Sequence, residues 1–328
     1  MIDVLFVVLP DSLLLDLAGP AETFRLANQH LQRLGRAPAF RLRFIGPVEQ
    51  VRSSVGLGLG PIETLPARLD STSWVMLLGR PGEADAVLAR QRPWLATRDW
   101  LARTLGPALH EPHGVHRLLT VCVGALLAAD AGLLGTRQVT THHELLDALA
   151  RLAPTAKVLP NRVFVEDGPV ATSAGITAGI DLALHGVARV CGEALAQSVA
   201  RTMVAYSRRP ADAPQDSPLL AFRDHLHPAL HRVQDAVAAR PGADWSVERL
   251  AALAHVTPRH LGRLFREQVG TTPRAYVEHL RATLARESLE RGASRSAATR
   301  AAGFGSERRM REALARLSRP DRVPGSSA

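Results

Sequence analysis

Hydrophobic and polar positions divide the chain into two regions of different periodicity. In the first two thirds, short apolar runs alternate with segments of helical spacing. The runs Val4–Leu9 and Trp74–Leu78 have the continuous apolar character of strands that are buried on both faces. This alternation predicts an α/β domain in which helices pack on a mostly parallel sheet, whereas the last third shows helical spacing alone.

The predicted elements follow from these patterns and from the turn residues between them. The strands are Val4–Leu9, Phe40–Ile45, Trp74–Leu78, Leu118–Val121, Val163–Val165 and Val170–Thr172, and the helices are Pro20–Leu34, 84–104, Gly124–Ala131, Glu144–Leu152 and Gly179–Tyr206. Three prolines among small and polar residues then mark a solvated linker. The sequence therefore predicts an α/β domain over 1–206, a linker over 207–224 and an all-α domain over 225–328.

The all-α domain contains a helix-turn-helix pattern near its start. Ser246 and Thr257 are placed to cap two short helices, and Pro258 takes a first helical position, where its missing N–H costs nothing. Apolar residues recur on the inner face, and the outer face carries donors that suit base edges and phosphates. The predicted DNA-contacting residues of this unit are Thr257, Pro258, Arg259, His260, Arg263 and Arg266.

A second pattern of the same kind follows over 294–317. Met310, Ala313, Leu314 and Leu317 are predicted to face inward from its second helix. Its predicted DNA-contacting residues are Ser306, Glu307, Arg308, Arg309 and Arg311. The alternative interpretation is that these arginines only form a solvated face.

Net charge supports a polyanionic partner for the helical domain. Residues 225–328 carry 18 arginines, no lysine and 10 acidic residues, so their net charge is +8 out of +9 for the whole chain. A general preference for arginine explains why Lys157 is the only lysine, but it does not explain the uneven net charge. The charge pattern therefore indicates double-stranded DNA as the partner.

Length and composition set the compartment and the number of domains. A chain of 328 residues is long enough for two cores. Two cysteines do not make a disulfide framework, which fits a reducing compartment. The first residues lack the basic segment of a signal peptide, and the longest apolar run, Leu118–Ala129, is too short to span a bilayer. We expect a cytoplasmic protein without membrane contact.

Four motif pieces together resemble the AraC/XylS family of transcription regulators over about 230–323. They are Ser246–Val256, Arg259-His260-Leu261-x-Arg263-Leu264-Phe265, Gly270-x-Thr272-Pro273-x-x-Tyr276 and Gly303-Phe304-Gly305-Ser306. The resemblance implies seven helices, two recognition helices in successive major grooves, a homodimer, and contact with RNA polymerase if the protein is an activator. Arg295, Ala298 and Thr299 stand where the family has larger apolar residues, and the ending is reduced to Pro320-Asp321-Arg322-Val323, so we expect a looser second unit.

The segment Leu118–Ala125 has the shape of a nucleophile elbow, in which a strand turns sharply into a helix. Cys122 stands at the turn, where the helix dipole favours its thiolate form. A buried cysteine in an apolar strand is the alternative interpretation. The residue pattern alone does not decide between a reactive cysteine at an elbow and a buried cysteine in a strand.

A series of motifs resembles the PfpI/ThiJ superfamily of glutamine-amidotransferase-like domains over roughly 1–206, and within it the isocyanide hydratases. The series is Leu15-Asp16-Leu17-Ala18-Gly19-Pro20-Ala21-Glu22, Ser53-Ser54-Val55-Gly56, Cys122-x-Gly124, Ala131-Gly132-Leu133-Leu134, Thr140-Thr141-His142 and Gly175-Ile176-Thr177-Ala178-Gly179-Ile180-Asp181. The resemblance implies a flavodoxin-like sandwich with a small pocket at Cys122. Asp16 or Glu22 would be the acidic neighbour, and His142 a nearby polar group.

The N-terminal region departs from an active enzyme of that superfamily. Val123 stands where hydratase-like relatives carry threonine, no Cys-His dipeptide is present, and Gly79-Arg80-Pro81-Gly82 replaces a glycine pair, so that Pro81 removes a backbone donor. We therefore expect a non-enzymatic sensor of a small polar effector, amine-like or amino-acid-like. The predicted pocket residues are Asp16, Glu22, Cys122, Val123 and His142. Arg80 either pairs with a carboxylate there or is a surface charge.

Other candidate functions of the N-terminal region remain open or fail on spacing. A Cys122-dependent hydratase or amidase fused to a DNA-binding domain is the rival function, and a thiol sensor is a weaker one because Cys191 is distant in sequence. His110, His113 and His116 do not predict a metal site, since Pro112 and Gly114 break the helix that would align them. The glycines at 56, 58 and 60 precede Pro61 instead of a helix, so no dinucleotide cofactor is predicted.

Overall fold

Seven strands form the central sheet of the N-terminal unit in the computed structural model, which describes residues 1–82, 86, 91–111, 114–204, 209, 211, 215, 222, 225, 227–290 and 292–317. The strands in chain order are β1 Ile2–Val7, β2 Phe40–Gly46, β3 Val51–Arg52, β4 Gly58–Leu59, β5 Glu63–Thr64, β6 Ser73–Leu77, β7 Arg117–Val121, β8 Gln138–Val139, β9 Lys157–Val158, β10 Phe164–Asp167 and β11 Val170–Ser173. Two of the pairs, β3 with β4 and β8 with β9, form separate small ribbons.

The central sheet has the order β10-β11-β7-β6-β1-β2-β5, and every neighbouring pair is parallel except β10 with β11. This confirms the predicted mostly parallel sheet. Val7 is level with Leu77, and Leu77 is level with Thr120, so the carboxyl ends of the three central strands meet at one edge. In open α/β sheets, that edge is where binding sites form.

Helices cover the sheet and bury its apolar strands. They are α1 Leu14–Arg33, α2 Arg92–Trp100, α3 Gly106–His110, α4 Gly124–Asp130, α5 Leu146–Leu152, α6 Thr177–Cys191 and α7 Glu193–Thr202. The core joins β1, β6 and β7 to α4, whose first six residues are all buried. Part of the predicted helix 84–104 lies outside the described residues.

Two predicted helix boundaries were wrong. The first helix begins at Leu14 instead of Pro20, because tertiary hydrogen bonds to Asp16 hold an extra turn ahead of the proline. The predicted helix Gly179–Tyr206 is two helices. Gly192, at φ 92°, adopts the left-handed conformation that favours glycine and separates α6 from α7.

The second unit is helical throughout its described part and contains α8 Pro228–Ala239, α9 Val247–Ala254, α10 Pro258–Val269, α11 Pro273–Glu290, α12 Arg295–Ala301 and α13 Glu307–Leu317. Its apolar residues form two clusters. The larger one contains residues from the four helices α8, α9, α10 and α11. The smaller one consists of Ala285, Ala298, Ala302 and Met310 among the described residues. The chain divides into units at Gln215, and most of the predicted linker 207–224 lies outside the described residues.

Candidate DNA-binding surface and sensor site

Both helices of the first helix-turn-helix begin at capped N-termini. The Ser246 hydroxyl accepts a hydrogen bond from the N–H of Arg249, and the Thr257 hydroxyl accepts one from the N–H of His260, each at 3.3 Å. His255 ends α9 with φ 56°, a left-handed conformation that turns the chain sharply. The two caps and this residue fix where α10 starts, because the first N–H groups of a helix need partners.

One face of α10 is buried and the opposite face is exposed. Leu261, Leu264, Phe265 and Val269 pack into the core, while Arg259, Arg263 and Arg266 are exposed. Thr257 and Pro258 are exposed at its start, and His260 is partly buried. This face presents the predicted set of donors along one side of a helix, which is the arrangement a major groove accepts.

Arg263 is held at the centre of the exposed face by its neighbours on α10. Its Nη1 lies 3.1 Å from Oε1 of Glu267, and its Nη2 lies 3.2 Å from Nδ1 of His260. An exposed pair of this spacing stabilises a helix only slightly, so the guanidinium can exchange Glu267 for a base or phosphate at small cost.

A glycine inside α10 offers a test of this helix. A Cβ built on Gly262 meets only Nη2 of Arg266, at 3.8 Å, which is ordinary contact. Gly262→Ala is therefore expected to raise the free energy of unfolding of this unit by roughly 0.5–1 kcal/mol, the difference between glycine and alanine inside a helix. Denaturant unfolding followed by circular dichroism measures it. A loss of stability would contradict the open surroundings of Gly262.

The second helix-turn-helix repeats the capping with a thinner core. The Ser294 hydroxyl accepts from Ala297 N–H at 3.2 Å, and the Ser306 hydroxyl accepts from Arg309 N–H at 3.3 Å. On α13, Met310 and Ala313 are buried as predicted, and Leu314 and Leu317 are partly buried. Exposed on the same helix or at its start are Ser306, Glu307, Arg308, Arg309 and Arg311.

The turn of the second helix-turn-helix is packed on a loop that precedes α9. Gly303 has φ +76°, and a Cβ built on it would lie 2.3 Å from Cα of Gly242. The partly buried Arg281 on α11 donates through its guanidinium to the carbonyls of Pro241 and Ala243, at 2.8 and 2.6 Å. The glycine motif at 303–305 was part of the sequence pattern, but the partner loop was missed because no local signal connects 242 with 303.

Cys122 occupies a sharp turn between β7 and α4. Its φ is +53°, which is uncommon for any residue other than glycine, and its N–H donates to the Ser173 carbonyl at 3.0 Å. A Cβ on Gly124 would lie 2.5 Å from the Leu77 carbonyl oxygen, so only glycine lets α4 pass this close to the sheet. The geometry is that of the elbow that the sequence predicts.

Asp16 is the acidic neighbour of Cys122. Its side chain is buried and accepts hydrogen bonds from the N–H groups of Gly79 and Ile176, both at 3.0 Å. A Cβ on Gly79 would lie 2.3 Å from Oδ2 of Asp16 and 2.9 Å from Cβ of Cys122. Gly79 and Gly175 thus enclose Cys122, and their roles were missed, because the sequence marked them only as parts of motifs.

The other predicted pocket residues lie at different depths. Glu22 is exposed on α1 and pairs with Arg25 at 2.6 Å. Val123 is buried, and the ring of His142 is partly exposed, with its Nδ1 3.5 Å from Glu144. The structure therefore brings Asp16, Cys122 and Val123 together and leaves Glu22 on the surface.

Burial determines the charge states at this site. It raises the pKa of the Cys122 thiol to about 12, the Asp16 carboxylate adds to the rise, and the N–H of Val123 opposes it. This direction is the opposite of the one that the helix N-terminus alone favours, and it agrees with the alternative interpretation of Cys122 as a buried cysteine. Burial also raises the pKa of Asp16 to about 6, against the two backbone N–H groups that lower it. At neutral pH the site holds a thiol beside a mostly ionised carboxylate.

A groove of about 460 Å³ opens beside Asp16 at the start of α1. It is lined by Leu13, Leu14, Leu15, Asp16, Ala18, Ser54, Val55 and Ile176. Ile176 has φ 45°, rare for a β-branched residue, and this conformation points its N–H at Asp16. Apolar walls around one buried carboxylate suit a small cationic or polar molecule.

Arg80, which follows Gly79, is not a surface charge. Its side chain is 10% exposed, and its Nη2 lies 3.8 Å from Oδ2 of Asp11. Nε of Arg80 has no hydrogen-bond partner among the described residues. Of the two interpretations made from the sequence, the surface charge disagrees with this burial, and pairing with a carboxylate in the pocket stays a prediction.

The remaining sequence candidates have local structural partners. Nδ1 of His110 lies 2.7 Å from the Gly106 carbonyl, and Nδ1 of His116 accepts from the N–H of Ser73, while His113 lies outside the described residues. Within the described ranges, no group of three or more metal-binding side chains comes together. Cys191 ends α6 and is half-buried.

None of the helices in the described part has the length and apolar character that crossing a membrane requires.

Comparison with known proteins connects both units to one family. A solved ThiJ/PfpI family protein from Pseudomonas syringae covers 77% of this chain and 90% of its own, at 23% identity and a TM-score of 0.49. A family model described as a helix-turn-helix domain matches residues 250–319. The transcriptional regulator GbdR of Pseudomonas aeruginosa is 27% identical over 87% of this chain and 73% of its own. The regulator Rv1931c of Mycobacterium tuberculosis is 30% identical over 72% of this chain and 88% of its own. With that identity and coverage, and with two helix-turn-helix units following a mostly parallel α/β unit in the chain, the protein belongs to the AraC family of DNA-binding transcription regulators.

Proposed function

We propose that this regulator binds a specific DNA sequence and responds to a small amine-like or amino-acid-like effector in its N-terminal unit. The observation that carries the proposal is the exposed face of α10, where arginines project from a helix whose start and inner face are both fixed. The predicted DNA-contacting residues of α10 and α13 are proposed to act there.

The helices α10 and α13 are proposed to contribute unequally to the recognition of the DNA sequence. The α10 unit is backed by a core that joins four helices, whereas the α13 unit rests on a smaller cluster made mostly of alanines. A recognition helix that is held less firmly discriminates less between bases, because it can shift to accommodate a mismatch. We therefore assign most of the sequence preference to α10.

The effector site is proposed to be the groove beside Asp16. A buried carboxylate that is ionised at neutral pH favours a cationic group, and the apolar lining favours a small organic body. Of the residues predicted for the pocket, Asp16 lines this groove, whereas Cys122 and Val123 are buried and His142 and Glu22 are not part of its lining. An effector can act only by binding the DNA-competent and DNA-incompetent states unequally.

Selection from a random DNA library tests the regulator as a whole. Purified full-length protein at physiological salt is used, because a domain of net charge +8 holds any DNA at low ionic strength. A motif spanning two turns of DNA is expected if both recognition helices read bases. A motif of one turn would assign readout to α10 alone, and the absence of any motif would overturn sequence-specific binding.

Arg263→Ala is expected to relax the selected motif at one position. A guanidinium that bonds a base edge contributes roughly 1–3 kcal/mol of discrimination, which is about a fivefold to 150-fold change in preference. Binding of the selected site and of single-base variants measures the change. Arg68→Ala, which removes an exposed arginine from the N-terminal unit, is the matched control. Equal weakening on all sequences would identify Arg263 as a phosphate contact.

An enzymatic role for Cys122 is the second candidate function. The left-handed backbone at Cys122 favours it, since it is the conformation of a nucleophile elbow. The raised pKa of the thiol and the apolar Val123 count against it. Cys122→Ser separates the two functions. Lost regulation with intact effector binding would support chemistry, and unchanged regulation would exclude it, while insensitivity of DNA binding to peroxide would exclude a thiol sensor.

The assembly is proposed from the family alone. A homodimer in the cytoplasm, with RNA polymerase as a further partner if the protein is an activator, follows from membership of the AraC family. Sedimentation of the full-length protein at micromolar concentration tests the dimer. A monomer, both with and without DNA, would overturn it.

A further inference from the structure

We infer that three residues before the second unit, Arg209, Ala211 and Gln215, form a releasable anchor on the N-terminal unit that responds to the state of the Asp16–Cys122 site. These residues are called the linker anchor below. The inference rests on the proposed function, because the anchor has a regulatory role only if the two units influence one another. Every contact that carries it lies within the N-terminal unit.

Gln215 is the more deeply seated part of the linker anchor. Its Nε2 donates to the backbone carbonyl of Thr141 at 2.8 Å and to the hydroxyl of Thr140 at 3.3 Å. The Thr140 hydroxyl already donates its own proton to the Leu159 carbonyl, so it can only accept from Gln215. The backbone N–H of Gln215 donates to Oδ1 of Asn161 at 2.9 Å. These two acceptors therefore require a hydrogen-bond donor in the side chain at position 215.

Arg209 and Ala211 hold the linker anchor at two other elements. The N–H of Arg209 donates to Oδ1 of Asp181 at 3.0 Å, and its guanidinium reaches Oδ2 of Asp181 and the hydroxyl of Thr177, both at 2.8 Å. The carbonyl of Ala211 accepts from the N–H of Phe164 at 3.4 Å. The linker anchor thus touches the first turns of α6 and the start of β10.

Arg209 and Gln215, the two ends of the linker anchor, each contact a residue that adjoins the site formed by Asp16 and Cys122, called the sensor site below. Thr141, which accepts from Gln215, donates its hydroxyl proton to the carbonyl of Cys122 at 2.8 Å. Thr177, which accepts from Arg209, directly follows Ile176, whose N–H donates to Asp16. A ligand that moves Asp16 or the turn at Cys122 therefore shifts the two surfaces on which the linker anchor rests.

The polar character of these contacts makes the linker anchor releasable. Apart from the contact of Ala211 with the apolar core, it is held by hydrogen bonds and the ion pair of Arg209 with Asp181, each of which water can replace when the segment lifts off. Oε1 of Gln215 is buried and has no hydrogen-bond partner within the described ranges, and release would return it to water. Release exchanges these bonds for bonds to water, so a change at the sensor site can shift the balance between the docked and the released state.

Hydrogen exchange measures the docking directly, because the backbone N–H groups of Arg209 and Gln215 are both held by side-chain oxygens. Full-length Gln215→Glu places an oxygen against the Thr141 carbonyl. It is expected to speed exchange of the Arg209 and Gln215 amides at least tenfold. Gln32→Glu, the same change at an exposed position on α1, is the control and is expected to leave them unchanged.

Coupling to the sensor site is tested without an effector. Thr141→Val removes the bond to the Cys122 carbonyl but keeps the backbone carbonyl that Gln215 uses. This variant and Asp16→Asn are each expected to speed exchange of the Arg209 and Gln215 amides several-fold. If neither does so in a folded protein, the anchor is a static attachment and the inference falls. Unprotected amides in the unchanged protein would overturn the docking itself.

DNA affinity then decides whether the linker anchor has a regulatory role. Gln215→Glu is expected to change the dissociation constant of the full-length protein for its selected DNA by at least threefold, relative to Gln32→Glu. An unchanged constant with fast exchange would overturn regulation through the anchor. A protein that selects no DNA motif at all would instead overturn the proposed function, while the exchange results would stand on their own.

Discussion

Replacing Gly303 by alanine is expected to detach the second helix-turn-helix from the first and to shorten the selected DNA motif from two turns to one. The new Cβ would lie 2.3 Å from Cα of Gly242, and the backbone there has φ +76°. Overpacking costs about 1–3 kcal/mol, and a left-handed conformation adds roughly 1–2 kcal/mol for a residue other than glycine. The small cluster around Met310 offers little to offset that loss.

Library selection and thermal unfolding measure the effect of Gly303→Ala. Gly305→Ala is the matched control, because a Cβ at Gly305 meets no atom within 4 Å and its backbone is not in the left-handed region. The control should keep both the motif and the unfolding midpoint. A two-turn motif that survives in Gly303→Ala would mean that the loop at 242 moves aside, and that the packing of the two turns does not set the spacing of the recognition helices.

The stability of the N-terminal unit is expected to increase as the pH falls from 7 to 4. Burial raises the pKa of Asp16 to about 6 from its usual 3.8, so the folded chain takes up a proton that the unfolded chain does not hold in this range. At 1.36 kcal/mol per pH unit, the gain is on the order of 3 kcal/mol. Below pH 4 the gain is complete, since both states are then protonated.

Asp16→Asn isolates this contribution from other carboxylates. Glu166, whose pKa is lowered to about 2 chiefly by His185 and Arg189 against its burial, acts in the opposite direction at still lower pH. Unfolding of full-length protein is followed by tryptophan fluorescence in a Trp245→Phe background, so that the three tryptophans of the N-terminal unit report. As the pH falls from about 7 to 4, the free energy of unfolding of the protein with Asp16 should rise relative to that of Asp16→Asn. Outside this range the difference between the two free energies should stay constant. A pH-independent difference would contradict the raised pKa.

Local signals were enough to predict the helix-turn-helix units. Ser246, Thr257 and Ser306 act on N–H groups three residues ahead of them, and the apolar positions of α10 repeat within one helix. Such relations lie within a few residues, so they can be read from the chain directly. The order of strands and helices in the N-terminal unit follows for the same reason.

Helix boundaries that depend on distant residues were not predictable. Gly186 and Gly192 lie in the same predicted helix, but Gly186 stays helical under Trp74, where a Cβ would lie 2.7 Å from the ring, and Gly192 ends the helix. Both are glycines in an apolar context. The difference between them comes from a strand more than 100 residues away, which the local sequence does not encode.

Deciding whether Asp16 or Glu22 is the acidic neighbour of Cys122 required the three-dimensional structure for the same reason. Both are acids on one predicted motif, and only the approach of Gly79 and Ile176 singles out Asp16. Gln215 is the extreme case, since its partners are 54 to 75 positions away. A polar residue in a proline-containing segment carries no local sign of being anchored.

The two cysteines have a practical consequence for physical studies of this protein. Maleimides and similar dyes react with thiolates, and burial raises the pKa of both Cys122 and Cys191. The DNA-binding unit contains no cysteine. A single new cysteine on an exposed position of that unit, such as Ala252 on α9, should therefore take the label almost alone at pH 7, which permits distance measurements by fluorescence on otherwise unaltered protein.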